Sequence, residues 1–282
     1  MPSVLPHSVT PTRIAFVGGG NMARSLIGGL LRTGFDPGAL AVAEPHAGLR
    51  EALQGDFGIC TTAQNSTAAE RAAVVVLAVK PQVMRAVCVD LSETVQRDRP
   101  VLLSIAAGIR MQSIEDWAGG RVPVVRCMPN TPALIGAGAS GLCANSHVDR
   151  AARALCETIL GAAGVSVWID DEAQMDIVTA LSGSGPAYFF LLVEALEDAA
   201  VAQGLPRETA RNLATQTALG AGRMLREDGE IPSRLRERVT SPNGTTQAAL
   251  EAFAAGGLRA LVATAVEAAT QRGRELAAAA GD

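Results

Sequence analysis

The segment Arg13-Ile14-Ala15-Phe16-Val17-Gly18-Gly19-Gly20-Asn21-Met22-Ala23 joins an apolar run to a glycine turn with the G-x-G-x-x-G/A spacing, Ala23 standing in the third place. These residue types suit a phosphate. Gly18 lets the chain turn tightly off a strand, Gly20 lets the backbone approach a pyrophosphate, and Ala23 lets the next helix lie close to the sheet. The N–H groups opening that helix point at the anion, and the helix dipole adds to the attraction. The spacing predicts a dinucleotide and therefore hydride chemistry. Glu44 follows the next apolar run. An acid there accepts bonds from an adenosine 2′-hydroxyl and repels a 2′-phosphate, which favours NAD(H). His46 and Arg50 lie just beyond and could offset it for NADP(H), and a plain surface glutamate is the alternative.

Three further segments exchange an apolar run for small or polar residues: Ala78-Val79-Lys80-Pro81, Ser104-Ile105-Ala106-Ala107-Gly108 and Arg126-Cys127-Met128-Pro129-Asn130-Thr131-Pro132. If each ends a parallel strand, each lies on the rim where an open sheet binds its ligand. Lys80 is the only lysine among 24 basic residues. Bias towards arginine accounts for the rest, and the exception marks a place that wants a compact ammonium or a chance survivor.

Two loops in the second half lead into helices: Leu181-Ser182-Gly183-Ser184-Gly185-Pro186-Ala187-Tyr188 and Val239-Thr240-Ser241-Pro242-Asn243-Gly244-Thr245-Thr246. Free N–H groups and hydroxyls at a helix start suit a carboxylate, although a simple capping turn has the same sequence. The histidines, His7, His46 and His147, form no triad and no H-E-x-x-H array, so metal hydrolysis and Ser-His chemistry lack their parts and no metal is expected. Reduction of a C=N bond asks for less. It needs a hydride held in line and a hydrogen-bonding group beside the nitrogen.

The elements that must carry these segments alternate in the first half. Strands are predicted at 13–17, 40–43, 74–79, 101–105, 122–128, 141–144 and 165–169. Helices are predicted at 21–33, 47–54, 82–93, 111–117 and 150–160. Alternation of this kind implies an α/β fold with a mostly parallel sheet covered on both faces. After Asp170 only helices are predicted, the first capped by Asp170 or Asp171, others opened by Pro186, Pro206 and Pro232, and two more at 246–255 and 258–280. The expected organisation is a loose tail at 1–12, a nucleotide domain at 13–169 and an all-α domain at 170–282. The late helices are rich in alanine and glycine and make a thin core, so self-association is expected.

Composition narrows the function. The chain has 282 residues, 48% apolar and 18% charged, with a net charge of −4 and 3% aromatics. That profile excludes disorder and supplies neither the basic footprint nor the stacking rings of a nucleic-acid binder. Apolar runs such as 74–79 fall short of the ~20 residues of a bilayer span, so no membrane partner is expected. The five dispersed cysteines contain no C-x-x-C pair and read as small buried hydrophobes in a reducing, cytoplasmic setting.

The segments GGGNMA, LAVKPQ, SIAAGI, RCMPNTPA, SGSGPAY and VTSPNGTT together resemble the pyrroline-5-carboxylate reductase family, in that family's order. The resemblance implies a Rossmann-type domain followed by a helical domain that interlocks with a second subunit. It implies hydride transfer from NADPH or NADH to L-Δ1-pyrroline-5-carboxylate, giving L-proline in the last step of proline biosynthesis. Gly18, Gly20, Asn21, Met22, Ala78, Lys80, Ala106, Ala107 and Gly108 map onto the cofactor rim. The substrate loop maps onto Ser241, Gly244, Thr245 and Thr246, with Ser182 on the other loop and the Thr246 hydroxyl facing the ring nitrogen. Thr246 and Lys80 are the implied catalytic residues. The alternatives are a reductase of a related cyclic imine or hydroxyacid, and a non-catalytic dinucleotide sensor on the same scaffold.

Overall fold

The structure is a computed structural model in which residues 12–280 are described. The expected tail at 1–12 lies outside them except for Thr12. Eight strands form one sheet in the order β3-β2-β1-β4-β5-β6-β7-β8. They are β1 (Ile14–Val17), β2 (Leu40–Ala43), β3 (Cys60–Thr62), β4 (Val74–Leu77), β5 (Val101–Ser104), β6 (Val124–Met128), β7 (Gly138–Ala144) and β8 (Gly164–Trp168). All neighbours pair in parallel except β6 with β7. Helices α1 (Asn21–Arg32), α2 (Ala47–Phe57), α3 (Asn65–Ala69), α4 (Pro81–Asp98), α5 (Met111–Trp117) and α6 (Arg150–Gly161) connect the strands. The order reverses between β1 and β4, and that crevice is where a doubly wound sheet takes its ligand.

Every residue of β1, β2, β4 and β5 is buried, as a parallel sheet covered on both faces requires. One apolar cluster packs α1 and α6 on one face, and another packs α4 and α5 on the opposite face. Among the strands and α-helices of the described residues, two are absent from the sequence reading. β3 is the short, partly exposed edge strand Cys-Thr-Thr, and α3 is a five-residue turn of helix that begins Asn-Ser-Thr. Neither has the apolar period that marks a buried face.

Beyond β8 the chain is helical, with α7 (Met175–Val178), a π turn at Thr179–Gly183, α8 (Gly185–Ala202), α9 (Arg207–Glu227), α10 (Pro232–Arg238), α11 (Thr245–Ala255) and α12 (Leu258–Ala280). The chain divides into two compact units, 1–183 with 270–282, and 184–269. The secondary structure changes character near Asp170, whereas compactness changes after Gly183. The difference arises because the segment after Asp170 docks on the sheet. The Arg126 side chain, 4% exposed on β6, bonds Glu172 at 3.0 Å, and Glu172 also accepts the Met111 N–H at 2.8 Å. Gly141 on β7 leaves room for Val178, because a Cβ there would stand 2.5 Å from its Cγ1.

In the second unit α8 inverts the usual pattern. Phe189 and Phe190 are 66% and 67% exposed, whereas Glu197 is 7% exposed. Glu197 takes both Arg207 and Arg211 of α9, at 2.8 and 3.0 Å, and these guanidinium groups hold its carboxyl below the usual range. The helical run Glu172–Ala202 is 31 residues long and holds an 18-residue stretch with a mean hydropathy of 1.3, so it passes as a membrane span by length and composition. Reading only unbroken apolar runs understates it, because Gly, Ser and Thr interrupt such a run at little cost in hydropathy.

Candidate active site

The rim at the carboxyl ends of β1, β4 and β5 collects most of the residues predicted for the cofactor. Gly18 has φ +97°, and a Cβ there would stand 2.5 Å from the Ala78 carbonyl oxygen, so no other residue fits this turn. Gly18 N–H donates to the Ala43 carbonyl at 2.8 Å, and Ala78 N–H to the Val17 carbonyl at 2.8 Å. These bonds bring the ends of β1, β2 and β4 together.

Gly20 is the N-cap of α1 and supplies no side-chain cap. The first bond of the helix runs from Arg24 N–H to the Gly20 carbonyl at 3.0 Å, which leaves the N–H groups of Asn21 and Met22 without a backbone acceptor. A Cβ built on exposed Gly20 would meet nothing within 4 Å. The space a side chain would fill is open, and it lies over an uncapped helix N-terminus. This arrangement fits a pyrophosphate. Ala78 is half-buried, Ala106 is buried beside the Ser104 hydroxyl, Ala107 is exposed, and Gly108 has φ +78° where its backbone meets α12 near Ala277.

Lys80 caps the start of α4 and is exposed, and its ammonium bonds no other described residue. Among the described residues it is a cation on the rim with nothing committed to it. Glu44 is not the plain surface glutamate of the alternative reading. It is only 6% exposed, and both its oxygens are taken by the backbone, Oε2 by Gly19 N–H at 3.0 Å and Oε1 by His46 N–H at 3.0 Å. Arg50 donates to the carbonyls of Glu44 and Pro45 at 2.7 Å. Glu44 is therefore a clamp on the glycine turn.

The substrate loop predicted at 241–246 lies in the second unit. Asn243 has φ +58°, and its N–H donates to Gln247 Oε1 at 2.8 Å. Gly244 is the N-cap of α11 and provides no side-chain cap. A Cβ on Gly244 would stand 2.4 Å from Ser241 Oγ, so the serine lies against the bare backbone. The N–H groups of Thr245 and Thr246 find no backbone acceptor, and the half-buried Thr246 hydroxyl bonds no other described residue. This helix start has donors in excess, as a carboxylate site requires. Sequence reasoning passed over Gln247. Its signal was a glutamine at the third helical position, where a side chain reaches back to the turn.

Ser182 sits in the π turn of the first unit, its hydroxyl donating to the Val178 carbonyl at 2.9 Å. Four of the five cysteines are buried and all are free. Burial pushes Cys88 up to about 12, and Cys127 and Cys156 upward as well, so they are inert hydrophobes and not nucleophiles. No cluster of three metal-ligating side chains occurs among the described residues.

A family model for pyrroline-5-carboxylate reductase dimerisation matches residues 172–276, and one for NADP oxidoreductase, coenzyme F420-dependent, matches 13–108. A pyrroline-5-carboxylate reductase of Pseudomonas aeruginosa is 52% identical over 265 residues, covering 94% of this chain and 97% of the relative. The chain belongs to the pyrroline-5-carboxylate reductase family. A solved pyrroline-5-carboxylate reductase from Coxiella burnetii superposes with a TM-score of 0.93 at 42% identity, over 95% of this chain and 99% of that one. A Plasmodium falciparum pyrroline carboxylate reductase, solved with NADP bound, superposes at 0.80 with 29% identity, over 94% and 98% of the two chains. Among pyrroline-5-carboxylate reductases this chain therefore has both parts expected from its sequence, the Rossmann-type sheet and the helical dimerisation region.

Proposed function

We propose that this chain reduces the C=N bond of L-Δ1-pyrroline-5-carboxylate to give L-proline, using NADPH or NADH, in the cytoplasm. The uncapped start of α11 behind Ser241 and Gly244 carries this reading, because it offers N–H donors and one free hydroxyl on a single turn. Family membership supplies the substrate. The dinucleotide brings a hydride when bound, and Gly18, Gly20, Asn21, Met22, Ala78, Ala106, Ala107 and Gly108 are the residues that would hold it. The substrate carboxylate would be received by the N–H groups of Thr245 and Thr246, because the Gly244 N–H expected to share it donates instead to the Ser241 carbonyl at 3.1 Å. Ser241 lies on the same loop, and the family resemblance adds Ser182 as a further substrate residue. Thr246 would hydrogen-bond the ring nitrogen as C5 accepts the hydride. A protonated imine is already electrophilic, so no strong base is needed, which agrees with the sparse histidines.

The test is absorbance of NADPH and of NADH with pyrroline-5-carboxylate, run beside a six-membered cyclic imine and a 2-keto acid. Oxidation with the five-membered imine and little with the others is expected. Dinucleotide binding with no turnover of any of these would replace the enzyme by a sensor.

Glu44 accepts one backbone bond at each oxygen and keeps acceptor sites on both, so its geometry does not choose between the two dinucleotides. The NADP in the Plasmodium falciparum structure supports use of NADPH. Lys80 is the uncommitted cation for that cofactor's anionic groups. Lys80→Met is expected to raise the KM for NADPH about tenfold with little change in melting temperature, the scale of one charge-assisted hydrogen bond. Wild-type kinetics in that variant would remove the role.

We also infer self-association through the helical region. An apolar patch of this size is unfavourable in water without a cover, and α8 shows Phe189, Phe190, Leu191 and Leu192 outward in the single chain. The match to a dimerisation module over 172–276 supports a second copy as that cover. Phe190→Glu should convert the assembly to monomers at micromolar concentration. Sedimentation showing the native assembly unchanged would move the interface elsewhere.

A further inference from the structure

The structure assigns to Asn130 the task of positioning the turn that carries Ser182. The inference rests on the substrate reading above and deepens it. Asn130 follows the carboxyl end of β6, on the same rim as the glycine turn and the Lys80 corner, yet it has no contact assigned by the chemistry described so far. Its side chain uses both ends. Oδ1 accepts the Ala139 N–H at 2.8 Å, and Nδ2 donates to the Ser182 carbonyl at 2.9 Å. One amide therefore ties β7 to the π turn Thr179–Gly183, in a part-buried place where an unmade bond is costly.

A π turn widens the helix by one residue and is uncommon outside functional sites. The Ser182 hydroxyl is spent on the Val178 carbonyl and the Thr179 hydroxyl on the Met175 carbonyl, so both bonds are internal to the segment. Apolar contacts also reach the segment from outside. Met128 lies against Gly183, where a Cβ would come 2.6 Å from Cε, and Gly141 lies against Val178. Apolar contacts hold the turn down but tolerate small slides along the rim. The directional bond from Asn130 Nδ2 fixes how far along the rim the turn sits, and with it the place of Ser182. Asparagine carries its acceptor and its donor on two separate atoms, which suits partners on two elements, whereas an ionised aspartate could serve Ala139 but not the Ser182 carbonyl.

The two ends of the amide can be separated experimentally. Asn130→Asp keeps the acceptor for Ala139 and loses the donor to Ser182. Asn130→Ala loses both and is the variant that tests folding. For Asn130→Asp the expected result is a KM for pyrroline-5-carboxylate raised about tenfold, with kcat reduced less and NADPH dissociation unchanged, as for loss of ground-state binding. Hydrogen exchange of the peptide spanning 175–184 should quicken in the same variant, while peptides from β1 and β4 stay protected. A purely structural asparagine would lower the melting temperature in both variants and leave the KM of the folded fraction native. Native KM together with native exchange in folded Asn130→Asp overturns the assignment. If the native protein turns over no pyrroline-5-carboxylate, the substrate reading fails and takes this assignment with it. Failure of the assignment alone shows as an active native enzyme whose Asn130→Asp variant is indistinguishable from it.

Discussion

Gly20→Val protein is expected to melt at the native temperature and to bind NADPH and NADH about 100-fold more weakly or worse, because a branched side chain would occupy the phosphate's place. The two requirements of the glycine turn are separable in this structure. Gly20 has φ −70° and ψ −177°, angles open to any residue, and its added Cβ would meet no atom within 4 Å. Sterically the fold does not require glycine at that position, whereas the close approach of a ligand does. Gly18 is the opposite case. Its φ of +97° and the 2.5 Å approach to the Ala78 oxygen make any side chain a fault of the fold itself. Gly18→Ala should cost about 2 kcal/mol or more in stability whether or not a dinucleotide is present. Calorimetry of the two variants, with titration of each cofactor, checks both statements. A Gly20→Val protein that binds NADPH normally would remove the phosphate from this turn.

The sheet was legible because its strands are short unbroken apolar runs separated by turn signals, as at 74–77 and 101–103. β3 and α3 lack that signal, since an edge strand of Cys-Thr-Thr and a helix of five residues bury too little to leave a pattern. Glu44 was legible as an acid after β2 but not as a clamp, because the partner that decides its role, Gly19, lies 25 residues away in sequence. Asn130 escaped for the same reason at longer range, with Ser182 52 residues on. Long-range hydrogen bonds leave no periodicity, so the chain shows which residues can bond but not to whom. The exposed face of α8 is a different case. Its residues read as core by composition, and within one chain they are core without a cover.

Thr246→Val is expected to lower kcat about 100-fold while leaving NADPH dissociation within a factor of two, the range for one group that assists proton placement in the transition state. Valine keeps the shape and the branched β-carbon, so the change removes the hydroxyl and little else. Threonine here is not needed for the fold in the way a capping residue would be. The N-cap is Gly244, the turn is locked by the Asn243 to Gln247 bond, and the Thr246 hydroxyl serves no other described residue. A group that helix formation does not use, half-buried among unpaired N–H donors, is placed for a ligand. The carboxylate would meet the N–H groups equally in ground state and transition state, and so governs KM. The nitrogen is different, because its basicity rises as the C=N bond is reduced and its hydrogen bond to the hydroxyl strengthens along the way. The loss should therefore fall on kcat and carry over to kcat/KM. Thr246→Ser should recover most of it. A Thr246→Val enzyme with native kcat would transfer the role at the nitrogen to another group, and one with native kcat but weakened substrate binding would make Thr246 part of the carboxylate site alone.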